Sequence, residues 1–109
     1  MISMKAYYEW KQQSEFDPAD VFRECVERGA GSLLISAASL PEDFFDLSSG
    51  LLGELLHKLS TYRIKMALVV PDTGLYSPHF QAFAREANQG KEIHVFSNRE
   101  EAVNWLDSQ

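Results

Sequence analysis

"LLGELLHKLSTYRIKMALVVPDTG", residues 51–74, holds a helix pattern, a strand pattern and the punctuation that ends the strand. Leu51, Leu52, Leu55, Leu56 and Leu59 recur at helical spacing and form one apolar face, opposite Glu54, His57, Lys58 and Thr61. The spacing predicts a helix from about Leu47 to Tyr62. "IKMALVV", residues 64–70, follows as the clearest strand in the chain. Pro71 stops it, because proline cannot donate to a sheet ladder, and "DTG" supplies the turn.

The same alternation extends in both directions. Upstream, "SLLIS" (32–36) is a short apolar run of the sort buried on both faces of a parallel sheet. Before it, "DPADVFRECVERGAG" (17–31) reads as a helix: Asp17 can cap, Pro18 suits the first helical position, and Val21, Phe22, Cys25 and Val26 form a stripe. Gly29 and Gly31 end it. In the loop "AASLPEDFFD" (37–46), Ser39 and Glu42 suit a single capped helical turn that carries Phe44 and Phe45 inward. Downstream, Ser77-Pro78 opens a helix that buries Phe80, Phe83, Ala84 and Ala87 and closes at Gly90. "EIHVF" (92–96) is a further strand. A last helix opens at Ser97 or Asn98 and buries Ala102, Val103 and Leu106, with Trp105 flanking. The aromatic-rich segment Met4 to Trp10 reads as an N-terminal strand. Strands and helices therefore alternate, which predicts a single α/β domain with a mainly parallel or mixed sheet and about four helices.

Size and charge narrow the functional classes. A chain of 109 residues has room for one ordinary core. Its net charge of -6 disfavours nucleic acid and anionic membranes as partners. No run approaches the roughly 18 apolar residues needed to span a bilayer, and "MISMKAYYEWKQQSEF" has no apolar core of signal-peptide length, so a cytoplasmic protein is expected. The lone cysteine, Cys25, reads as a small buried apolar residue.

In open α/β sheets ligands bind outside the carboxyl ends of the strands. That edge would carry the loops after the strands at 32–36 and 64–70, and with them Glu42, Asp43, Asp46 and Asp72. Paired carboxylates can bind a cation or act as acid and base, but Asp46 and Asp72 also sit where caps and turns need short acceptors. "SSGLLG" lacks both the dinucleotide glycine spacing and the P-loop lysine. His57, His79 and His94 have no metal-ligand spacing, and "G-x-S-x-G" is missing, so no catalytic residue, metal or cofactor is expected. With Asp46 as N-cap, Ser49 falls in the first helical turn, and Gly50 and Gly53 lie three apart on one flank. Two helical glycines so close suggest that something approaches the backbone there, either the sheet of the same chain or a partner.

"PEDFFDLSSGLLGELLHKLSTYRIKMALV" (41–69), continued by Phe83, Glu86, Asn88 and Gly90 in "FAREANQG", closely resembles an uncharacterised bacterial family, domain of unknown function 4180. More loosely, the Asp-x-Ser-Ser-Gly-Leu segment from Asp46 to Leu51 is similar to the phosphorylation segment of STAS domains, the anti-sigma-factor antagonists. That second resemblance implies a STAS-like fold with a phosphorylated serine at Ser49 and a helix-opening glycine at Gly50.

Taken together, the residues point to a regulatory module that binds another protein. Its expected surface is Asp43, Asp46, Ser48, Ser49, Gly50, Gly53, Glu54, Asp72 and Thr73, with Ser49 as the phosphorylation candidate. The alternative is a small-ligand binder or hydrolase-type enzyme using Asp43, Asp46 and Asp72. A homodimer through Tyr7, Tyr8 and Trp10 of an exposed edge strand is a third expectation.

Overall fold

An apolar run can lose solvent on both faces only where other elements cover both, and the two such runs of this chain lie together at the centre of a sheet. The computed structural model describes residues 7–11 and 16–109. Its four strands are β1 (Tyr7–Trp10), β2 (Ser32–Ser36), β3 (Lys65–Val69) and β4 (Ile93–Phe96), and its helices are α1 (Pro18–Glu27), α2 (Glu42–Phe45), α3 (Leu51–Thr61), α4 (Pro78–Ala87) and α5 (Arg99–Asp107). The strands lie in the order β1-β2-β3-β4, and every neighbouring pair is parallel. Register places Tyr7 opposite Ser32, Leu33 opposite Met66, and Leu68 opposite Val95. Within the expected N-terminal strand, Tyr7–Trp10 is β1, whereas Met4 to Ala6 lie outside the described residues.

Because the strand order never doubles back, crossovers of one hand lay their helices on one face of the sheet. Val21 and Cys25 of α1, Phe44 and Phe45 of α2, Leu52, Leu55 and Leu59 of α3, and Phe80 and Ala84 of α4 share one core. Leu33, Ile35, Met66, Leu68 and Val70 point into it from the sheet. The alternate residues Leu34, Ala67 and Val69 point to the opposite face, where Ala102 and Leu106 of α5 cover them together with Tyr7. Ala67 and Ala102 are both fully buried, so small side chains on each side accompany the docking of α5. Arg99 at the start of α5 also forms a bidentate ion pair with Glu9 of β1, at 2.7 and 3.2 Å.

Local chemistry sets the starts of three helices. Asp17 accepts from Ala19 N–H at 2.9 Å with Pro18 in the first turn, Ser77 accepts from Phe80 N–H at 3.2 Å ahead of Pro78, and Asn98 accepts from Glu101 N–H at 2.8 Å. The expected Ser39 cap is not used. Pro41 precedes α2 without a side-chain cap, and Ala37–Ser39 form a separate 3-10 turn, while Phe44 and Phe45 are buried as expected. The end of α3 relies on Arg63, whose φ of 55° takes the left-handed conformation usually left to glycine.

On one outer strand of this sheet a side chain takes up a backbone donor. Val95 N–H, on β4, donates to Asn88 Oδ1 at 2.6 Å, which fills a donor that could otherwise template another strand. On β1, Tyr7 and Trp10 are buried, and the Arg28 guanidinium lies 4.6 Å from the ring centroid of the half-buried Tyr8. Of the three aromatic side chains named for a homodimer, Tyr7 and Trp10 are buried, and Tyr8 packs against the core while keeping part of its surface exposed.

Cys25 has no exposed surface, and burial, reinforced by Glu24, pushes its thiol up to about 12. The folded chain is therefore expected to resist thiol-specific reagents at neutral pH and to react at once in denaturant. Rapid labelling without denaturant would contradict the packing of α1 on the sheet.

Candidate functional site

Two loops leave the carboxyl ends of adjacent strands on the helical face, one after β2 and one after β3. The first runs through α2 to Asp46, whose Oδ1 accepts from Ser48 N–H at 3.0 Å and from Ser48 Oγ at 2.6 Å. Those two bonds, the hydroxyl first and then the backbone N–H, hold the exposed Asp46 carboxyl below the usual aspartate range. Leu47–Ser49 form a 3-10 turn, so the expected helix from Leu47 is corrected: α3 begins at Leu51, and Asp46 caps the turn before it. The break has a local cause. Gly50 sits at φ +83°, a left-handed conformation in which an α-helix cannot continue.

Ser49 ties this entry together. Its Oγ donates to the Asp43 carbonyl at 2.6 Å and accepts from Leu51 N–H at 3.3 Å, joining α2 to the start of α3. The side chain is also exposed, as are those of Asp43, Asp46, Ser48 and Glu54. Of the two neighbours expected at the glycine pair, the sheet of the same chain is not one. Gly50 supplies a positive φ, and a Cβ on either Gly50 or Gly53 would meet nothing within 4 Å. No part of this chain's described residues presses on that flank.

The second loop folds around Asp72, whose Oδ1 accepts from Gly74 N–H at 2.9 Å and opens a 3-10 turn, Thr73–Leu75. Tyr76 then lays its ring on Phe45 of α2, centroids 4.2 Å apart and planes 23° apart, and Phe45 also meets Phe80 edge-on at 5.1 Å. Gln81 Nε2 donates to the Tyr76 carbonyl at 2.9 Å and fixes the loop from behind.

Between the loops lies a groove of about 760 Å³, open to solvent. Phe45 and Tyr76 line it with Leu40, Leu47 and Leu75, its formal charges are Glu42 and Asp46, and His79 is also in its lining. A second concavity of about 440 Å³, beyond the β3 loop, is polar, lined by Asp72, Thr73, Gln81, Arg85, Asn88 and Glu101 among others.

The residues named from sequence are divided by this geometry. Asp46 and Ser48 line the groove, Asp72 and Thr73 line the second concavity, and Asp43, Ser49, Gly50, Gly53 and Glu54 line neither of the two. Asp43, Asp46 and Asp72 therefore do not meet in either hollow as an acid–base or metal-binding set. Among the described residues, no three His, Cys, Asp or Glu side chains gather as a metal site. His94 is engaged elsewhere, its Nε2 2.7 Å from the Gly90 carbonyl and its ring stacked on Trp105 at 4.6 Å. Sequence reasoning passed over Leu75 and Tyr76, and weighed His79 only as a metal ligand or catalytic group. The available signal was an apolar pair, Leu75-Tyr76, standing between a turn and a helix cap, where neither helix nor strand accounts for it.

The fold is a small all-parallel α/β sheet with an apolar groove at its carboxyl edge. Residues 8–106 match the family described as "Domain of unknown function (DUF4180)", and the chain belongs to that family. Among curated proteins and among solved structures, nothing matches it.

Two measurements check the geometry of the first loop. Gly53→Ala is expected to stabilise the chain by up to about 1 kcal/mol in urea denaturation, because the new methyl meets open space inside a helix, whereas Gly50→Ala should destabilise it through its positive φ. Asp46 gives the second. A lowered carboxyl pKa in the folded state stabilises above the ordinary aspartate value of 3.8 and is lost as pH falls through the lower folded value. An NMR titration should show Asp46 protonating below 3.8, with the Ser48 amide following it.

Proposed function

We propose that the protein is a non-enzymatic, cytoplasmic regulatory module that acts by binding another protein, with the groove and the chain from Asp43 to Glu54 as its contact surface. One observation carries this reading. Large apolar side chains stand in solvent on both walls of the groove, Leu75 at 78% and Leu47 at 38% exposure, above an aromatic floor. Exposed apolar side chains gathered over an aromatic floor favour an interaction surface. An active site would ask for a convergent acid, base or nucleophile, and here Asp46 and Asp72 each close a turn beside a different hollow.

Ser49 is the proposed switch. Support comes from the similarity of Asp46 to Leu51 to the phosphorylated segment of STAS domains, from the exposure of Ser49, and from its bond to the Asp43 carbonyl. A phosphate there removes the hydroxyl proton donated to Asp43 and adds about two negative charges near Asp43 and Asp46. The tie between α2 and α3 would open, and the groove wall carrying Asp46 and Leu47 would be freed without disturbing the sheet. A second reading, small-ligand binding, draws on the polar concavity that gathers Arg85, Asn88 and Gln81 beside Asp72.

Phosphoproteomic mass spectrometry of the natively expressed chain is expected to place phosphate on Ser49. Affinity capture with Ser49→Ala and Ser49→Asp should recover different partners. Identical partners for both variants together with an unmodified Ser49 would sink the switch.

A further inference from the structure

The groove is more selective than an apolar patch. Its carboxylates, Glu42 and Asp46, have no lysine or arginine beside them in the lining, and Asp43 lies next to Glu42 in the chain. Asp46 remains ionised at neutral pH, since its bonds to Ser48 favour the carboxylate. The walls are preformed: the Asp46–Ser48 bonds and the Ser49–Asp43 bond hold one, and the Gln81–Tyr76 bond and the Phe45–Tyr76 stack hold the other. A preformed site spares its occupant the cost of ordering the receptor.

We propose that this groove takes a short segment of a partner protein in which apolar side chains are flanked by lysine or arginine, the apolar residues seated between Leu47 and Leu75 and the cation against Glu42 and Asp46. The proposal rests on the protein-binding reading above and specifies the chemistry of the partner. Charge complementarity selects among the possible occupants. A second copy of this chain would bring the same acidic rim and its own net charge of -6, setting like charges against each other. An anionic membrane surface meets the same repulsion. A drug-sized molecule is held where most of its surface is buried, whereas this hollow is open to solvent and fits anchors projecting from a longer chain.

A random-peptide phage library panned on the full chain provides the probe, and selected peptides are then synthesised for titration followed by amide chemical shifts. The expected result is enrichment of apolar residues next to Lys or Arg, with shifts confined to residues 40–48 and 75–79. Leu75→Asp should weaken binding about tenfold. Glu42→Lys should weaken it too, and the wild-type affinity should fall with added salt, which a purely apolar contact would not show. Leu75 and Glu42 are both exposed, so the variants are expected to keep the circular dichroism of the parent. Groove-binding peptides without basic residues would overturn the charge assignment and leave the protein-binding reading intact. Peptides that shift residues elsewhere, or no enrichment, overturn this occupant, and the broader reading then stands or falls on the Ser49 captures. A dimer in sedimentation that Leu75→Asp dissolves would assign the groove to a second copy and overturn the proposal.

Discussion

Strands β2 and β3 lie side by side with Leu33 to Ile35 and Met66 to Val69 withdrawn from solvent on both faces, and the other elements are arranged around keeping them dry. Covering one face is the work of the crossovers. Each connection between parallel neighbours must carry the chain back along the sheet, and with the strand order always advancing, each lays its helix on the same side. The opposite face is left open by that rule, and α5, after the last strand, closes it with Ala102 and Leu106. Removal of α5 alone would therefore expose Leu34, Ala67 and Val69 together.

The same advancing order shapes the site. Doubly wound sheets place a crevice where the strand order reverses and adjacent loops part to opposite faces. Here the described strands contain no reversal, so the loops after β2 and β3 turn to the same side and lean on each other. Their contact is the stack of Phe45 on Tyr76 above Phe80, and the space between them is a shallow groove instead of a crevice. Two of the carboxylates that arrive with these loops, Asp46 and Asp72, are turn acceptors directed at backbone N–H groups of their own loops, and one lines the groove between the loops while the other lines the concavity beyond the β3 loop.

Much of this was legible in local chemistry. The β2 run at 32–36 was read to the residue, β3 and β4 to within one residue at each end, and the openings of α1 and α4 from Asp17-Pro18 and Ser77-Pro78, while for α5 the sequence left Ser97 and Asn98 open and the structure uses Asn98. Less legible was the junction at 46–51. Helical spacing of leucines does not distinguish a 3-10 turn followed by a left-handed glycine from a continuous helix, because the apolar face is nearly the same in both. What breaks the helix is a bond reaching back six residues, from Ser49 Oγ to the Asp43 carbonyl, together with the positive φ of Gly50.

The amino-acid sequence by itself determined the alternation of strands and helices, the family, and the apolar runs that must be buried on both faces, since each depends on neighbours within a few positions. Strand order, the face that each helix covers, and the meeting of Phe45 with Tyr76 were decided only by the tertiary structure. A run that is apolar throughout carries no mark of which side faces which helix, and two aromatic residues 31 positions apart have no local reason to meet. Crossover hand and parallel register bring them together, and the groove exists because they do.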